Sequence, residues 1–323
     1  MFNVRTDLAV EKRELYEKRF KKEIDGIVIE EENIDEVKVT TVDIINEDGA
    51  KKMGKGIGRY ITIEMPICTS YDTILRESVS HILAGSLERI INLNDDDVAL
   101  VVGLGNAGVT PDALGPKVVE KIMITRHLNA LMPEEIEGDL RSVCAISPGV
   151  LGTTGIETAE IIKSIVDKIK PAVVICVDAL ASRSLSRVSR SIQISNTGIA
   201  PGGGVANKRM QINEENLGIP VIAVGVPTVV DAGTIANDAI DLVIDEMIAQ
   251  SDNKEFYTML KNIDKAEKSN LIRRLLSPYV GDLMVTPKEI DEVIECVSKV
   301  VANGINIALQ PNMDSQDILE FLN

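Results

Sequence analysis

The chain has 323 residues, 45% of them hydrophobic, which is enough to bury the core of one large α/β domain or two smaller ones. Its 50 acidic residues outnumber 34 basic ones, and a net charge of −16 repels nucleic acid and anionic membranes. We therefore expect neither as a direct partner. The sequence has no secretory signal and no apolar run approaching about 18 residues, so a cytoplasmic protein is expected.

The N-terminal part has two different patterns. Residues 8–23 are charged and helix-prone, whereas residues 24–65 alternate apolar and polar side chains at a period of two. Three segments carry this alternation: 24–31, 37–45 and 59–65. A glycine-rich connection precedes the last of them. The pattern predicts a small antiparallel β region, followed by an amphipathic helix over residues 71–91.

Apolar strands alternate with helices in the middle of the chain. Four short runs are typical of strands buried on both faces: 98–104, 142–147, 171–178 and 220–227. Three helical patterns follow strands: 112–128, 156–169 and 234–250. Residues 190–195 alternate instead, which predicts an edge or antiparallel strand. This rhythm predicts an α/β fold with a doubly wound, mostly parallel sheet and helices on both faces.

The C-terminal part is predicted to be helical, with a charged stretch over 251–282, a long helix over 287–309 and at most a short helix over 310–323. The four cysteines are scattered without C-x-x-C spacing, so we expect buried free thiols in a reducing compartment. With only two histidines and no H-E-x-x-H motif, we expect no zinc site.

Acidic residues follow several of the predicted strands. In open parallel sheets, ligands bind beyond the carboxyl ends of the strands. Four acids come near that rim: Asp112, Asp178, Asp231 and Glu157. Asp112 and Asp178 taken singly also fit helix-capping roles. Held together in one cleft, these two cannot both ionise easily, so one retains a proton and the pair predicts acid–base hydrolysis.

The loop after the first buried strand contains a G-x-G-x-x-G pattern over residues 103–108. This pattern is typical of dinucleotide sites when a helix opens within it. Two features count against such a site here. Pro111 places the start of the next helix after the motif and not within it, and the second strand ends in Ser147 and Pro148, without an acidic residue to bind a ribose hydroxyl. We therefore favour an interpretation in which the loop approaches a bound chain closely, with Gly103, Gly105 and Asn106 as substrate-binding candidates.

Seven stretches carry a family resemblance: VVGLGNAGVTPDALGPK (101–117), ITRHL (124–128), PGVLGTTGIET (148–158), VDALASRS (177–184), IQISNTGIAPGGGVANKR (192–209), GIPVIAVGVPTVVDA (218–232) and MVTPKEID (284–291). In this order they resemble the spore germination protease family. The GLGN portion is also similar to hydrogenase maturation peptidases, which implies a shared α/β scaffold.

The resemblance implies an aspartic-type endopeptidase that degrades small acid-soluble spore proteins in the spore core during germination. The family's two essential carboxylates match Asp112 and Asp178. Members of the family form homotetramers, so the resemblance implies a homotetramer here. We expect no cofactor and no metal. One α/β peptidase domain is expected to span residues 8–323.

The resemblance also implies a zymogen. Family substrates are cut after an acidic residue and before an apolar one, and Thr6-Asp7-Leu8-Ala9-Val10-Glu11 resembles such a site. We therefore expect self-cleavage between Asp7 and Leu8, with residues 1–7 as the propeptide. The alternative is a flexible, charged N-terminal arm.

The acidic side chain before the cut needs a cation, and the candidates are Arg183, Lys208 and Lys117, of which Lys117 is more typical of surface charge. Backbone N–H groups of the 103–108 loop are candidates for binding the oxyanion. The sequence leaves open which aspartate is the base. Two rival functions remain: a metallopeptidase with Asp112 and Asp178 as metal ligands, and a non-enzymatic nucleotide-binding module.

Overall fold

The computed structural model describes residues 6–20, 24–69, 71–131, 140–200, 210–249, 271, 274–275, 283–313, 317–318 and 321. Its strands are β1 (Ile27–Ile34), β2 (Val37–Ile44), β3 (Gly58–Glu64), β4 (Val98–Gly103), β5 (Ser142–Ile146), β6 (Val173–Ser182), β7 (Ser191–Ser195), β8 (Val221–Asp231) and β9 (Met284–Val285). They form one sheet in the order β1-β2-β3-β7-β8-β6-β4-β5, with β9 beside β8.

The helices alternate with these strands. They are α1 (Ala9–Phe20), α2 (Glu47–Met53), α3 (Thr73–Glu88), α4 (Leu114–Val119), α5 (Arg126–Leu131), α6 (Leu151–Thr154), α7 (Thr158–Ile169), α8 (Glu214–Leu217), α9 (Ala232–Ala249) and α10 (Ile290–Leu309). The α/β class is therefore confirmed. Most of the predicted helical stretch 251–282 lies outside the described residues. No helix in the described ranges is long and apolar enough to cross a membrane.

The sheet is mixed rather than mostly parallel, so that part of the prediction is wrong. Parallel pairing joins β8, β6, β4 and β5, whereas β1, β2, β3 and β7 pair antiparallel, as do β7 with β8 and β8 with β9. The reason is β7, which is antiparallel to both β3 and β8. It lies inside the sheet rather than at an edge, and it joins the N-terminal antiparallel strands to the parallel half.

Both faces of the parallel half are covered by helices. Ala99 and Val101 of β4 pack in a cluster with α3, α4 and α10, whereas Leu100 and Val102 pack on the other face with α7. Successive residues of a strand point to opposite faces, so burial on both sides requires the continuous apolar runs seen in the sequence.

The helix predicted over 112–128 is interrupted. A 3₁₀ turn over Thr110–Asp112 leads into α4, and the chain turns again before α5. The side chain of Asn306 from α10 accounts for the second interruption, because it accepts a hydrogen bond from the Met123 N–H at 3.0 Å and donates one to the Lys121 carbonyl at 3.0 Å. These bonds replace those that a continuous helix would make.

The expectation of four free thiols is wrong for two of the cysteines. Cys68, which precedes α3, and Cys296 of α10 form a disulfide, with their Cα atoms 6.1 Å apart. Because α3 and α10 pack against each other, residues separated by 228 positions meet on one face of the sheet. Cys144 and Cys176 are free thiols in β5 and β6.

Gly115 allows α4 to pack directly on the end of β4 and the middle of β6. A Cβ atom at this position would lie 2.2 Å from the carbonyl oxygen of Leu104 and 2.6 Å from that of Val177. These are backbone atoms at the point where β4 leaves the sheet, so they cannot move aside cheaply. The absence of a side chain at Gly115 therefore fixes the position of the segment that carries Asp112.

We predict that Gly115→Ala lowers the free energy of unfolding by at least about 1–3 kcal/mol, the usual cost of overpacking. Urea denaturation measures this directly. Gly85→Ala in α3 is the matched control, because nothing lies within 4 Å of its added Cβ atom. It should be neutral or stabilising by up to about 1 kcal/mol, since alanine favours helices. Unchanged stability in Gly115→Ala would contradict the close packing.

Candidate active site

An open cleft of about 970 Å³ lies over β6, β8 and β7, beside the loop that follows β4. Asp178 of β6 pairs with Gly225 of β8, and Gly225 pairs in turn with Gln193 of β7. Residues paired in one row share a face of the sheet, so the side chains of Asp178 and Gln193 project about 10 Å apart. Between them the side chain of Leu180 packs over Gly225, where an added Cβ atom would lie 2.4 Å from Leu180 Cδ1.

Asp112 and Asp178 both line this cleft. Asp178 is 7% exposed and Asp112 is half-buried. Burial raises the pKa of Asp178 to about 8, with further contributions from the charges of Asp112 and Asp7. Burial also raises the pKa of Asp112, whereas a hydrogen bond from the backbone N–H of Asn106 acts to lower it. At neutral pH, Asp178 is therefore mostly protonated.

Asp178 occupies a position different from the one expected. The strand predicted to end there continues as β6 to Ser182, so Asp178 lies within a strand rather than after one. However, β4 pairs with β6 only as far as Val177, opposite Gly103. Asp178 is therefore the first residue of β6 beyond the end of its neighbour, which opens it to the cleft.

The glycine-rich loop holds Asp112. The backbone N–H of Asn106 donates to the Asp112 carboxylate at 2.9 Å and to the Asp112 carbonyl at 3.1 Å. Gly105 has a φ of 108°, and a Cβ atom there would lie 2.1 Å from the Asp112 carbonyl oxygen. The loop thus turns back tightly onto Asp112. The Asn106 N–H is already engaged, so in this conformation it does not serve as an oxyanion donor.

The N-terminal segment enters the same cleft. The Asp7 N–H donates to the Ala181 carbonyl at 2.9 Å, and the Ala181 N–H donates to the Asp7 carboxylate at 2.8 Å. The side chain of Gln193 donates to the Asp7 carbonyl at 3.0 Å and accepts from the Ala9 N–H at 2.6 Å. Leu8 is fully buried. Residues 7–9 therefore bind β6 and β7 as a peptide would.

Glu11 anchors the start of α1 behind this segment. Its buried carboxylate accepts hydrogen bonds from the backbone N–H groups of Arg183 at 2.6 Å and Ser184 at 2.8 Å, and from the hydroxyl of Thr6. Arg187 adds an ion pair to Glu11 at 3.7 Å. These contacts tie the N-terminal segment to the loop that follows β6.

The other acidic candidates lie elsewhere. Glu157 precedes α7, and Asp231 accepts hydrogen bonds from the N–H and hydroxyl of Thr234 at the start of α9. Neither is among the described residues that line the cleft. For Asp231 the reason is that its carboxylate caps the first turn of α9.

The basic candidates are also displaced from the cleft. Arg183 forms an ion pair with Asp238 at 2.7 Å, and Lys117 forms one with Glu295 at 3.2 Å. Lys208 and the glycines at 202–204 lie outside the described residues. Over the parts of the chain that the structure describes, no group of three His, Cys, Asp or Glu side chains is arranged to hold a metal.

Two residues of the cleft were missed from the sequence. Lys55 lies in the glycine-rich connection before β3, and that connection contains the unforeseen helix α2. Gln193 is a polar residue in a strand whose every position is buried. A glutamine among buried strand residues is a usable signal, because a buried amide requires hydrogen-bond partners.

The comparisons with known proteins agree with the expected family. The family model for germination protease matches residues 4–255 and 245–321. The chain is 67% identical to the germination protease of Clostridium perfringens over the full length of both chains. It is 57% identical to that of Clostridium tetani over 99% of this chain and all of the relative. A Geobacillus germination protease is 42% identical over 98% of this chain and 96% of its own. The chain therefore belongs to the germination protease family of peptidases.

Proposed function

We propose that this protein is an aspartic-type endopeptidase that degrades small acid-soluble spore proteins in the spore core during germination. The observation that carries the proposal is that Asp112 and Asp178 line one cleft, into which Asp7 of the chain itself is bound through its backbone and side chain, directly before α1. The full-length similarity to germination proteases supports the substrate class.

We assign different roles to the two aspartates. Asp178 is the more buried and keeps its proton near neutral pH, so it serves as the general acid. Asp112 is the less buried of the two, so its ionised form is the less costly one and it serves as the general base that activates water. Proton transfer from Asp178 to the departing amine then completes hydrolysis. Two groups with separated pKa values divide acid and base chemistry in this way.

Gln193 is proposed to orient the reacting carbonyl. Its amide group donates to the carbonyl of Asp7, which belongs to the Asp7–Leu8 bond expected to be cut. The same side chain accepts from the N–H of Ala9, so it fixes the peptide on both sides of that bond. A donor on this oxygen also stabilises the negative charge that develops when water attacks.

We also propose a domain organisation and an oligomeric state. Residues 1–7 form a propeptide, and residues 8–323 form one peptidase domain whose parallel half is doubly wound, as in the hydrogenase maturation peptidases that the sequence resembles. The family resemblance supports a homotetramer. The net charge of −16 supports a protein without direct contacts to nucleic acid or membrane.

We predict that Asp112→Asn and Asp178→Asn each lower kcat/KM at least about 1,000-fold, because each removes a proton-transfer group from the pair. The assay uses the purified chain and a peptide containing Thr-Glu-Phe-Ala-Ser-Glu, with circular dichroism to verify folding. Asp231→Asn is the control, since asparagine can still cap α9 and the residue lies outside the described cleft lining. Full activity in either dyad variant would refute the assignment, and activity lost only on chelation would favour the metallopeptidase.

Self-processing gives a second prediction. After mild acidification, the wild-type chain should lose residues 1–7, as shown by intact-mass spectrometry. Asp7→Ala should slow this at least about 10-fold, because it removes the carboxylate that the Ala181 N–H binds. Glu32→Ala, on exposed β1, is the control. Asp178→Asn should remain intact, and release of the same fragment by that variant at the wild-type rate would contradict self-cleavage.

A further inference from the structure

The charge in the cleft is distributed unevenly. Its described lining contains five acidic residues: Asp7, Asp112, Asp178, Glu214 and Glu215. Among the same lining residues, Lys55 is the one basic side chain. A substrate with an acidic residue before the cut therefore enters a cleft that repels it everywhere except near Lys55.

Lys55 is held in place by the end of α2. Gly54 ends this helix in a left-handed conformation, with a φ of 62°, and the Lys55 N–H donates to the Ala50 carbonyl at 3.2 Å. The ammonium group lies 5.3 Å from the centre of the Tyr60 ring. Tyr60 in turn donates its hydroxyl proton to the Gly56 carbonyl at 3.0 Å. The cation is thus positioned by the backbone and by an aromatic face.

The ammonium group of Lys55 is available to a ligand. No carboxylate of the described residues forms an ion pair with it, unlike Lys117 and Arg183. Burial lowers the pKa of Lys55 to about 8, while the nearby charge of Asp7 acts in the opposite direction. A partly desolvated cation without a paired anion is costly, and binding of an acidic side chain relieves that cost.

Asp7 shows where such a side chain would lie. It is the residue before the bond expected to be cut, and its carboxylate is close enough to Lys55 to influence it but is bonded to the Ala181 N–H. A glutamate at the same position is one methylene longer. Its carboxylate can therefore reach farther from the backbone than that of Asp7.

We propose that Lys55 is the specificity-determining residue of the cleft, which recognises the acidic side chain preceding the cut by forming an ion pair with it. This inference rests on the proposed peptidase function and deepens it. It replaces Arg183 and Lys117, which are paired outside the cleft. The Ala181 N–H provides the second contact to the same carboxylate. A glutamate before the cut is bound more tightly than an aspartate because it reaches both groups.

The test compares two peptides that differ only in charge at this position, Thr-Glu-Phe-Ala-Ser-Glu and Thr-Gln-Phe-Ala-Ser-Glu. The measured quantity is the ratio of their kcat/KM values, per mole of processed chain. Lys55→Met should lower the glutamate-to-glutamine ratio by about 30-fold, mainly through loss on the glutamate peptide. Lys55→Arg should retain most of the ratio, and Lys51→Met, an exposed lysine of α2, should leave it unchanged.

The possible results distinguish failure of the Lys55 specificity role from failure of the proposed peptidase function. An unchanged ratio in Lys55→Met, or an equal loss on both peptides, would overturn the specificity role, because a structural or catalytic lysine affects both substrates alike. A wild-type chain that cleaves neither peptide would overturn the proposed function and this inference with it. A wild-type preference for the glutamate peptide that Lys55→Met abolishes is the expected result.

Discussion

A buried carboxyl group beside a second carboxylate cannot ionise without a large cost, and the chemistry of this protein depends on that constraint. The cost of ionisation is larger for Asp178, because this residue lies almost fully buried in the central strand β6. Both carboxylates accept a backbone N–H, Asp178 from Ala179 and Asp112 from Asn106, but Asp112 is the more exposed. The difference in environment, rather than in residue type, makes one group an acid and the other a base.

The packing around the pair maintains this asymmetry. Gly115 lets α4 approach the end of β4 and the middle of β6, and Gly105 lets the preceding loop turn back onto Asp112. On the other side, Gly225 lets the side chain of Leu180 pack over the row between Asp178 and Gln193. Glycines thus bring neighbouring backbone and side chains close to the acid pair.

The N-terminal segment links the site to its own regulation. Leu8 is fully buried beside Val10 and Leu180, and Glu11 is bound by two backbone N–H groups. Full burial of one leucine contributes about 1.5–3 kcal/mol, so the segment after the expected cut is anchored firmly. Residues before it depend mainly on the contacts of Asp7.

Much of this site could be predicted from the sequence, and the exceptions have physical reasons. Apolar runs predicted the buried strands, and the rule on strand ends brought Asp112 and Asp178 to one cleft. The same rule failed for Asp231, because local capping of α9 competes for its carboxylate. Lys55 and Gln193 could not be found in this way. They come from the antiparallel half, which the sequence suggested was a separate region and which β7 joins to the parallel strands.

The most direct test of the central claim is infrared difference spectroscopy of the carboxyl groups between pH 6 and pH 9. One protonated-carboxyl band should be lost as the pH rises, with a midpoint near pH 8. That band should be absent in Asp178→Asn and should shift to lower pH in Asp112→Asn, where a like charge has been removed. If every carboxyl group is already ionised at pH 6, the two aspartates do not share a proton and the acid–base assignment is wrong.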